Sequence, residues 1–338
     1  MNRTSPSSQG SSSSAAAGPG RGMGSVPAWR HRDLLSLADL SAADMNRIFD
    51  LAKHYLPLVT SRGERSSHLA GCSVVSLFFE DSTRTRLSFA RAAQLLSADV
   101  FELTGKGSST SKGETIFDTA MNVEAMGIDA LVVRHNMSGA TKLIADHVSC
   151  SVVNAGDGRH EHPTQGLLDI FTIRQHFGPD LAGKHIVIVG DIVNSRVARS
   201  NIYGLTTLGA NVTVVGPPTL VPADLECLGV TVSHDLDSIV SEVDAIMMLR
   251  VQFERLAGQA FPSAPEYRRR FALTRERAHR MPDHAVVMHP GPMNRGLEID
   301  SEVASHTRSV ILRQVTHGVA IRMAVLRLLV QANERGMA

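Results

Sequence analysis

From about residue 35 onward, short apolar runs alternate with stretches of helical periodicity, and this alternation leaves few folds open. Runs at 73–79, 99–103, 129–134, 151–155, 185–190, 211–215, 244–249 and 285–289 read as buried strands. Helical patterns at 37–56, 84–97, 114–126, 163–177 and 195–208 separate most of them. Such alternation implies open, mostly parallel sheets with helices on both faces, an α/β class. About four strands precede residue 160 and four follow it, so two doubly wound domains are expected, with the active site between them. The first covers 27–163 and the second 164–315; the helix at 163–177 links them, and a final helix at about 316–334 packs back on the first. A chain of 338 residues suits two medium domains. In such folds ligands sit beyond the carboxyl ends of strands, near a topological switch point.

The loop after the first strand is the most telling. Val74-Val75-Ser76-Leu77-Phe78-Phe79 runs into Glu80-Asp81-Ser82-Thr83-Arg84-Thr85-Arg86, and Leu87, Phe89, Ala90, Ala93, Leu95 and Leu96 then recur at helical spacing. Ser82 or Thr83 stands where an N-cap belongs. A helix N-terminus offers unpaired N–H groups and the positive end of a dipole, so it attracts phosphate. The hydroxyls of Ser82, Thr83 and Thr85 and the guanidinium of Arg84 complete a phosphate cradle.

Other charged residues also follow strands. Arg134 ends Ala130-Leu131-Val132-Val133, so its charge emerges at a carboxyl edge; a weak surface ion pair is the alternative reading. His162 opens a helix at His-Pro-Thr-Gln, with Pro163 where a missing N–H costs nothing. Beside the positive end of that helix the imidazole should be neutral and able to donate to a carbonyl oxygen. Arg196 follows Val187-Ile188-Val189-Gly190-Asp191, and Arg250 follows Met247-Met248-Leu249; each can take a carboxylate in fork geometry. Gln252 lies two residues beyond Arg250, on the same side of an extended segment. Gly190 invites a dinucleotide-binding reading, but no GxGxxG is present.

A net charge of +1 gives no general pull toward nucleic acid or anionic membrane. No stretch is expected to reach the roughly 20 apolar residues that span a bilayer. Cys72, Cys150 and Cys227 lack CxxC spacing and are flanked by apolar or small residues, so buried free thiols in a reducing, cytoplasmic compartment are expected. Residues 1–26, mostly Ser, Ala, Gly and Pro without an apolar h-region, are expected to be a disordered tail, suited to a docking arm.

The segment Ser82-Thr83-Arg84-Thr85-Arg86 resembles the carbamoyl-phosphate signature of the transcarbamoylases. Ser111-Lys112-Gly113-Glu114-Thr115, Val133-Arg134-His135, His162-Pro163-Thr164-Gln165, Arg250-Val251-Gln252 and His289-Pro290-Gly291-Pro292 are similar to aspartate carbamoyltransferase catalytic chains, in family order over about residues 33–330. The resemblance implies transfer of the carbamoyl group from carbamoyl phosphate to the α-amine of L-aspartate, giving N-carbamoyl-L-aspartate and phosphate for pyrimidine synthesis. It implies that Ser82, Thr83, Arg84 and Thr85 hold the phosphate, and that Arg134, His162 and Thr85 share the carbamoyl oxygen. Gln165 would contact the carbamoyl nitrogen, and Ser108 and Lys112 would enter the site of a neighbouring subunit in a homotrimer or multiple of trimers, with Ser109 a rival of Ser108. Lys112, Arg196, Arg250, Gln252, Gly291 and Pro292 would take aspartate. No metal or organic cofactor is implied, and no zinc-ligand spacing appears.

The chain departs from some aspartate enzymes at Gly291, where they carry Leu; largely main-chain contacts there imply little consequence. Ornithine enzymes carry a His-Cys-Leu-Pro stretch at this point, and no Cys lies near. An ornithine carbamoyltransferase remains an alternative, although a cationic substrate would want acids where Arg250 and Gln252 stand. A scaffold subunit holding dihydroorotase or a regulatory chain through the tail is another. A Rossmann dehydrogenase is disfavoured by the missing glycines.

Overall fold

The computed structural model describes residues 29–104, 113–251, 263–334 and 336. The expected tail at 1–26 and the site candidates Ser108, Lys112 and Gln252 lie outside the described residues.

The first sheet is built from β1 (Ser73–Phe78), β2 (Asp99–Thr104), β3 (Ala130–His135) and β4 (Ser151–Asp157), in the order β2-β1-β3-β4. The second contains β5 (His185–Val189), β6 (Asn211–Val215), β7 (Thr231–Ser233), β8 (Ala245–Met248) and β9 (Val286–Met288), in the order β7-β6-β5-β8-β9. Every pairing between these strands is parallel. Each sheet therefore reverses its winding once, between β1 and β3 in the first and between β5 and β8 in the second. At such a reversal the connections leave in opposite directions and open a crevice beyond the strand ends.

The helices in chain order are α1 (Ala42–Thr60), α2 (Thr83–Leu95), α3 (Ile116–Glu124), α4 (Ala140–Ala145), α5 (Pro163–Phe177), α6 (Arg196–Thr207), α7 (Ala264–Phe271), α8 (Arg275–Arg280), α9 (Ser301–Ala304) and α10 (Ile311–Glu334). A capping box starts α1: Ser41 Oγ accepts from the Asp44 N–H at 3.2 Å, and Asp44 Oδ2 accepts from the Ser41 N–H at 3.1 Å. That box moves the helix start to Ala42 from the expected 37. Thr115 caps α3 in the same way, accepting from the Asp118 N–H at 3.2 Å.

Four expectations need correction. The second sheet has five strands, because β7 is a three-residue edge strand too short to show alternation. The last helix starts at Ile311, a turn and a half before 316, its first residues carrying exposed Leu312 and Val315 that disguise the pattern. Cys227 is exposed, whereas Cys72 and Cys150 are buried and free. The window Ile311–Asn333 is long and apolar enough to cross a membrane by length and composition, with a mean hydropathy of 1.3, yet 78% of it is buried inside the protein. Packing explains this composition: α10 lies against α1, α2 and α5. One continuous apolar core runs from α1 through both sheets to α10, and Phe171 stacks on Phe49 at 6.1 Å within it.

Candidate active site

The two switch points face one open cleft of about 740 Å³. Into it project the residues after β1, the end of β3, the start of α5, the residues after β5 and β8, and the loop after β9. Each site candidate within the described residues lines this cleft: Ser82, Thr83, Arg84, Thr85, Arg134, His162, Gln165, Arg196, Arg250, Gly291 and Pro292. Residues far apart in the chain converge because parallel strands place all their carboxyl ends on one edge.

Ser82 is the N-cap of α2, in extended conformation, but its side chain makes no capping hydrogen bond. The N–H groups of the first turn are thus left to a ligand, which suits an anion. The Arg84 guanidinium reaches across to the loop after β9. A Cβ on Gly291, whose φ is +67°, would lie 1.8 Å from Arg84 Nη1. Glycine therefore leaves the space that Arg84 occupies, so the departure at this position has a steric consequence as well as a main-chain one.

Arg134 sits where the β3–β4 register shifts, between Val133 and His135. The bulge turns its side chain out of the ladder, and Nη1 donates to the Ala155 carbonyl at 3.2 Å. Arg196 is the first residue of α6, held by Ser195, whose Oγ accepts from the Ala198 N–H at 3.1 Å. Arg196 and Arg134 both reach Glu80: Arg196 Nη1 lies 2.8 Å from Oε2 and Arg134 Nη2 lies 3.5 Å from Oε1. Glu80 stands in the quoted turn, but the sequence gave no reason to put an anion in an anion site.

His162 is 3% exposed and caps α5 by position, without a side-chain capping bond. Its main-chain N–H donates to Ser200 Oγ at 2.9 Å. The neighbouring Glu161 is fully buried; its carboxylate accepts from Ser36 Oγ, from the Leu37 N–H at 3.0 Å and from Ser200 Oγ at 2.8 Å, which fixes the entry to the helix. Burial, reinforced by the positive charges of Arg134, Arg322 and Arg196, holds the imidazole well below the usual histidine range. His162 is neutral at physiological pH, and its buried Nδ1 has no hydrogen-bond partner among the described residues.

Sequence reasoning missed Arg322 and Asp169. Arg322, on α10, is 4% exposed and lines the cleft. Its Nη1 donates to Ser88 Oγ at 2.8 Å, its guanidinium lies 4.9 Å from the Phe89 ring centroid, and its Nε has no hydrogen-bond partner among the described residues. Burial lowers its pKa to about 10. An arginine inside an otherwise apolar helix was the available signal. Asp169 lies one turn beyond Gln165, fully buried, and Gln165 Nε2 donates to its Oδ1 at 2.9 Å. Burial pushes this carboxyl up to about 6.

Comparison with known proteins places this geometry. Residues 32–175 match the family model of the aspartate/ornithine carbamoyltransferase carbamoyl-P binding domain, and residues 182–329 match that of the Asp/Orn binding domain. The aspartate carbamoyltransferase catalytic subunit of Salinispora arenicola is 53% identical over 307 residues, covering 90% of this chain and 99% of that protein. That of Streptomyces coelicolor is 52% identical over 312 residues, covering 90% of this chain and 96% of the relative. Among solved structures, the catalytic subunit of M. jannaschii aspartate transcarbamoylase superposes with a TM-score of 0.78 at 32% identity, over 90% of this chain and 99% of that one. The Trypanosoma cruzi aspartate transcarbamoylase in complex with carbamoyl phosphate and aspartate superposes with a TM-score of 0.80 at 28% identity, over 90% of this chain and 99% of that one. With both halves of the cleft falling inside matched domains, and relatives of more than half identity spanning nearly their whole length, the chain belongs to the aspartate/ornithine carbamoyltransferase family.

Proposed function

We propose that this chain is the catalytic chain of an aspartate carbamoyltransferase, forming N-carbamoyl-L-aspartate and phosphate in pyrimidine synthesis. The observation that carries this reading is the set of arginines at strand ends around one cleft: Arg84 and Arg134 beside the first switch point, Arg196 and Arg250 beside the second. The first pair suits a phosphate and a carbonyl; the second suits a dicarboxylate.

Carbamoyl phosphate binds through Ser82, Thr83, Arg84 and Thr85 at the open N-terminus of α2, with Gln165 on the carbamoyl nitrogen. Aspartate follows on Arg196, Arg250, Gln252 and the main chain of Gly291 and Pro292. Its unprotonated α-amine attacks the carbonyl carbon, forming the C–N bond. Arg134, Thr85 and neutral His162 stabilise the developing oxyanion. The bond from carbon to the phosphate oxygen then breaks, and phosphate leaves against Arg84 carrying the amine's proton. Proximity and preorganised charge supply most of the rate.

The division of labour follows the two sheets: 27–163 with the C-terminal helix for carbamoyl phosphate, 164–315 for aspartate. Assembly is a homotrimer or a multiple of trimers, in the cytoplasm, with Ser108 and Lys112 completing a neighbour's site. Exposed Leu87, Phe101, Met121 and Met126 in the first half support burial against another copy. The tail is available to a dihydroorotase or regulatory chain.

Phosphate release from carbamoyl phosphate, measured with aspartate and with ornithine as acceptors, tests the reading. Turnover should require aspartate. Turnover with ornithine alone would assign the chain to the other branch of its family.

A further inference from the structure

A single hydrogen-bonded path crosses the protein between the two ends of the cleft. Gln165, in the first turn of α5, lines the cleft and donates through Nε2 to Asp169 Oδ1 at 2.9 Å. Gln314, near the start of α10, donates through Nε2 to the same oxygen at 2.7 Å. The other atom of that amide, Oε1, accepts the main-chain N–H of His289 at 3.0 Å. His289 Nδ1 in turn accepts the Gly291 N–H at 2.8 Å, and Gly291 lines the cleft. Because Nδ1 is an acceptor, the neutral ring carries its proton on Nε2, which faces Glu298 Oε1 at 3.2 Å.

The chemistry of each link is constrained. Gln314 must offer a donor to a carboxylate and an acceptor to a main-chain amide on one rigid planar group. Glutamate has no such donor, leucine has neither, and asparagine is one methylene shorter. The amide is 2% exposed, so water does not substitute. The start of α10 is itself pinned, since the Val310 N–H donates to the Val287 carbonyl of β9 at 2.9 Å. The far oxygen of Asp169 accepts from Asn201 Nδ2 at 2.8 Å, so the carboxylate cannot rotate without breaking a third bond.

We propose that Gln314 is a positioning residue that couples the two substrate ends of the cleft. It fixes Gln165 and the His289–Pro292 loop relative to each other, so that a carbamoyl group held at one end raises affinity for a dicarboxylate at the other. The inference rests on the assignment of Gln165 to the carbamoyl group and of Gly291 and Pro292 to aspartate.

Titration calorimetry on the assembled protein tests it, with succinate as a dicarboxylate that has no reactive amine. The succinate Kd is measured with the other end filled by carbamoyl phosphate and, separately, by inorganic phosphate. In the wild type the carbamoyl group should tighten succinate about tenfold. In Gln314→Leu that ratio should fall below about twofold, while carbamoyl phosphate affinity stays within about threefold. Gln165→Leu should lose the same ratio, and the double variant should lose no more than either single one. A wild-type ratio in Gln314→Leu, or additive losses in the double variant, overturns the proposal. Should Gln314→Leu not fold, Gln165→Leu decides, and an unchanged ratio there also overturns it. A wild type that carbamoylates aspartate yet shows no ratio removes the coupling alone; one that does not carbamoylate aspartate removes the functional assignment beneath it.

Discussion

Arg196 grips Glu80 with both terminal nitrogens, Nη1 to Oε2 at 2.8 Å and Nη2 to Oε1 at 2.9 Å. The pair joins the turn after β1 of the first sheet to the helix after β5 of the second. Arg196 is 8% exposed at its side chain and Glu80 26%, so the contact is only partly screened. Glu80→Gln keeps the shape and removes the charge. Hydrogen bonds to charged groups contribute about 1.5–3 kcal/mol, so kcat/KM for aspartate should fall roughly 10- to 150-fold. Steady-state kinetics with an unchanged constant would mean that the grip does not organise the aspartate end.

His162 is expected to act as a neutral donor. His162→Ala should lower kcat about 10²- to 10³-fold, the scale for one oxyanion donor, with a smaller change in carbamoyl phosphate affinity. Its depressed pKa also has a stability consequence. The unfolded chain takes up a proton at the usual histidine pKa, and the folded chain does so only at lower pH. Its contribution is therefore complete above about pH 6.5 and is lost as pH falls toward the folded value. Denaturant melts at several pH values should show a shallower acid loss in His162→Gln than in the wild type.

Asp169 runs in the opposite sense. Its carboxyl is raised to about 6, so burying the charge costs stability, and that cost appears as pH rises from the unfolded value through about 6. Activity needs the charged form, because Gln165, Gln314 and Asn201 are all donors to it. Succinate binding in the presence of carbamoyl phosphate, free of any amine titration, should weaken below about pH 6 with uptake of one proton. A flat profile from pH 5 to 7 would remove Asp169 from this role.

Arg322 is a buried cation, and no carboxylate among the described residues forms a salt bridge with it. Desolvating a charge without a partner is costly, and a bound anion relieves that cost. Arg322→Gln should raise the Kd for inorganic phosphate about tenfold, close to 1.4 kcal/mol, without lowering the melting temperature of the ligand-free protein. Equal phosphate affinity in the two proteins would make Arg322 a packing residue of α10.

The shared site is tested by mixing subunits. Arg84→Ala and Lys112→Ala homotrimers should each be nearly inactive. Reassociating equal amounts at random makes three-quarters of the trimers mixed, each with one intact site in three, so about a quarter of full activity should return. Proven mixing without recovery would place both residues in the same subunit's site.

Much of this was legible in the chain. Strands such as β3 and β5 are buried on both faces and read as unbroken apolar runs, and their charged successors Arg134 and Arg196 stood out against them. The parallel sheets, the Pro163 helix start and the strand-end arginines followed from that contrast. Edge strand β7 and the short helices α4, α7, α8 and α9 did not, since three to eight residues rarely show a period. Glu80 and Gln314 were invisible for another reason: each matters through a partner more than a hundred residues away in sequence, Arg196 for one and Asp169 for the other.

The opposed switch points also separate what each peptide segment must recognise. The anhydride is met by the turn after β1, the end of β3 and the start of α5; the nucleophile is met by whatever follows β5, β8 and β9. Acceptor choice is therefore written in three connections of the second sheet, whose strands need only remain apolar. Changing the amine requires rewriting those connections while the donor machinery stands untouched, which makes the second sheet an exchangeable cassette and the first its fixed dock.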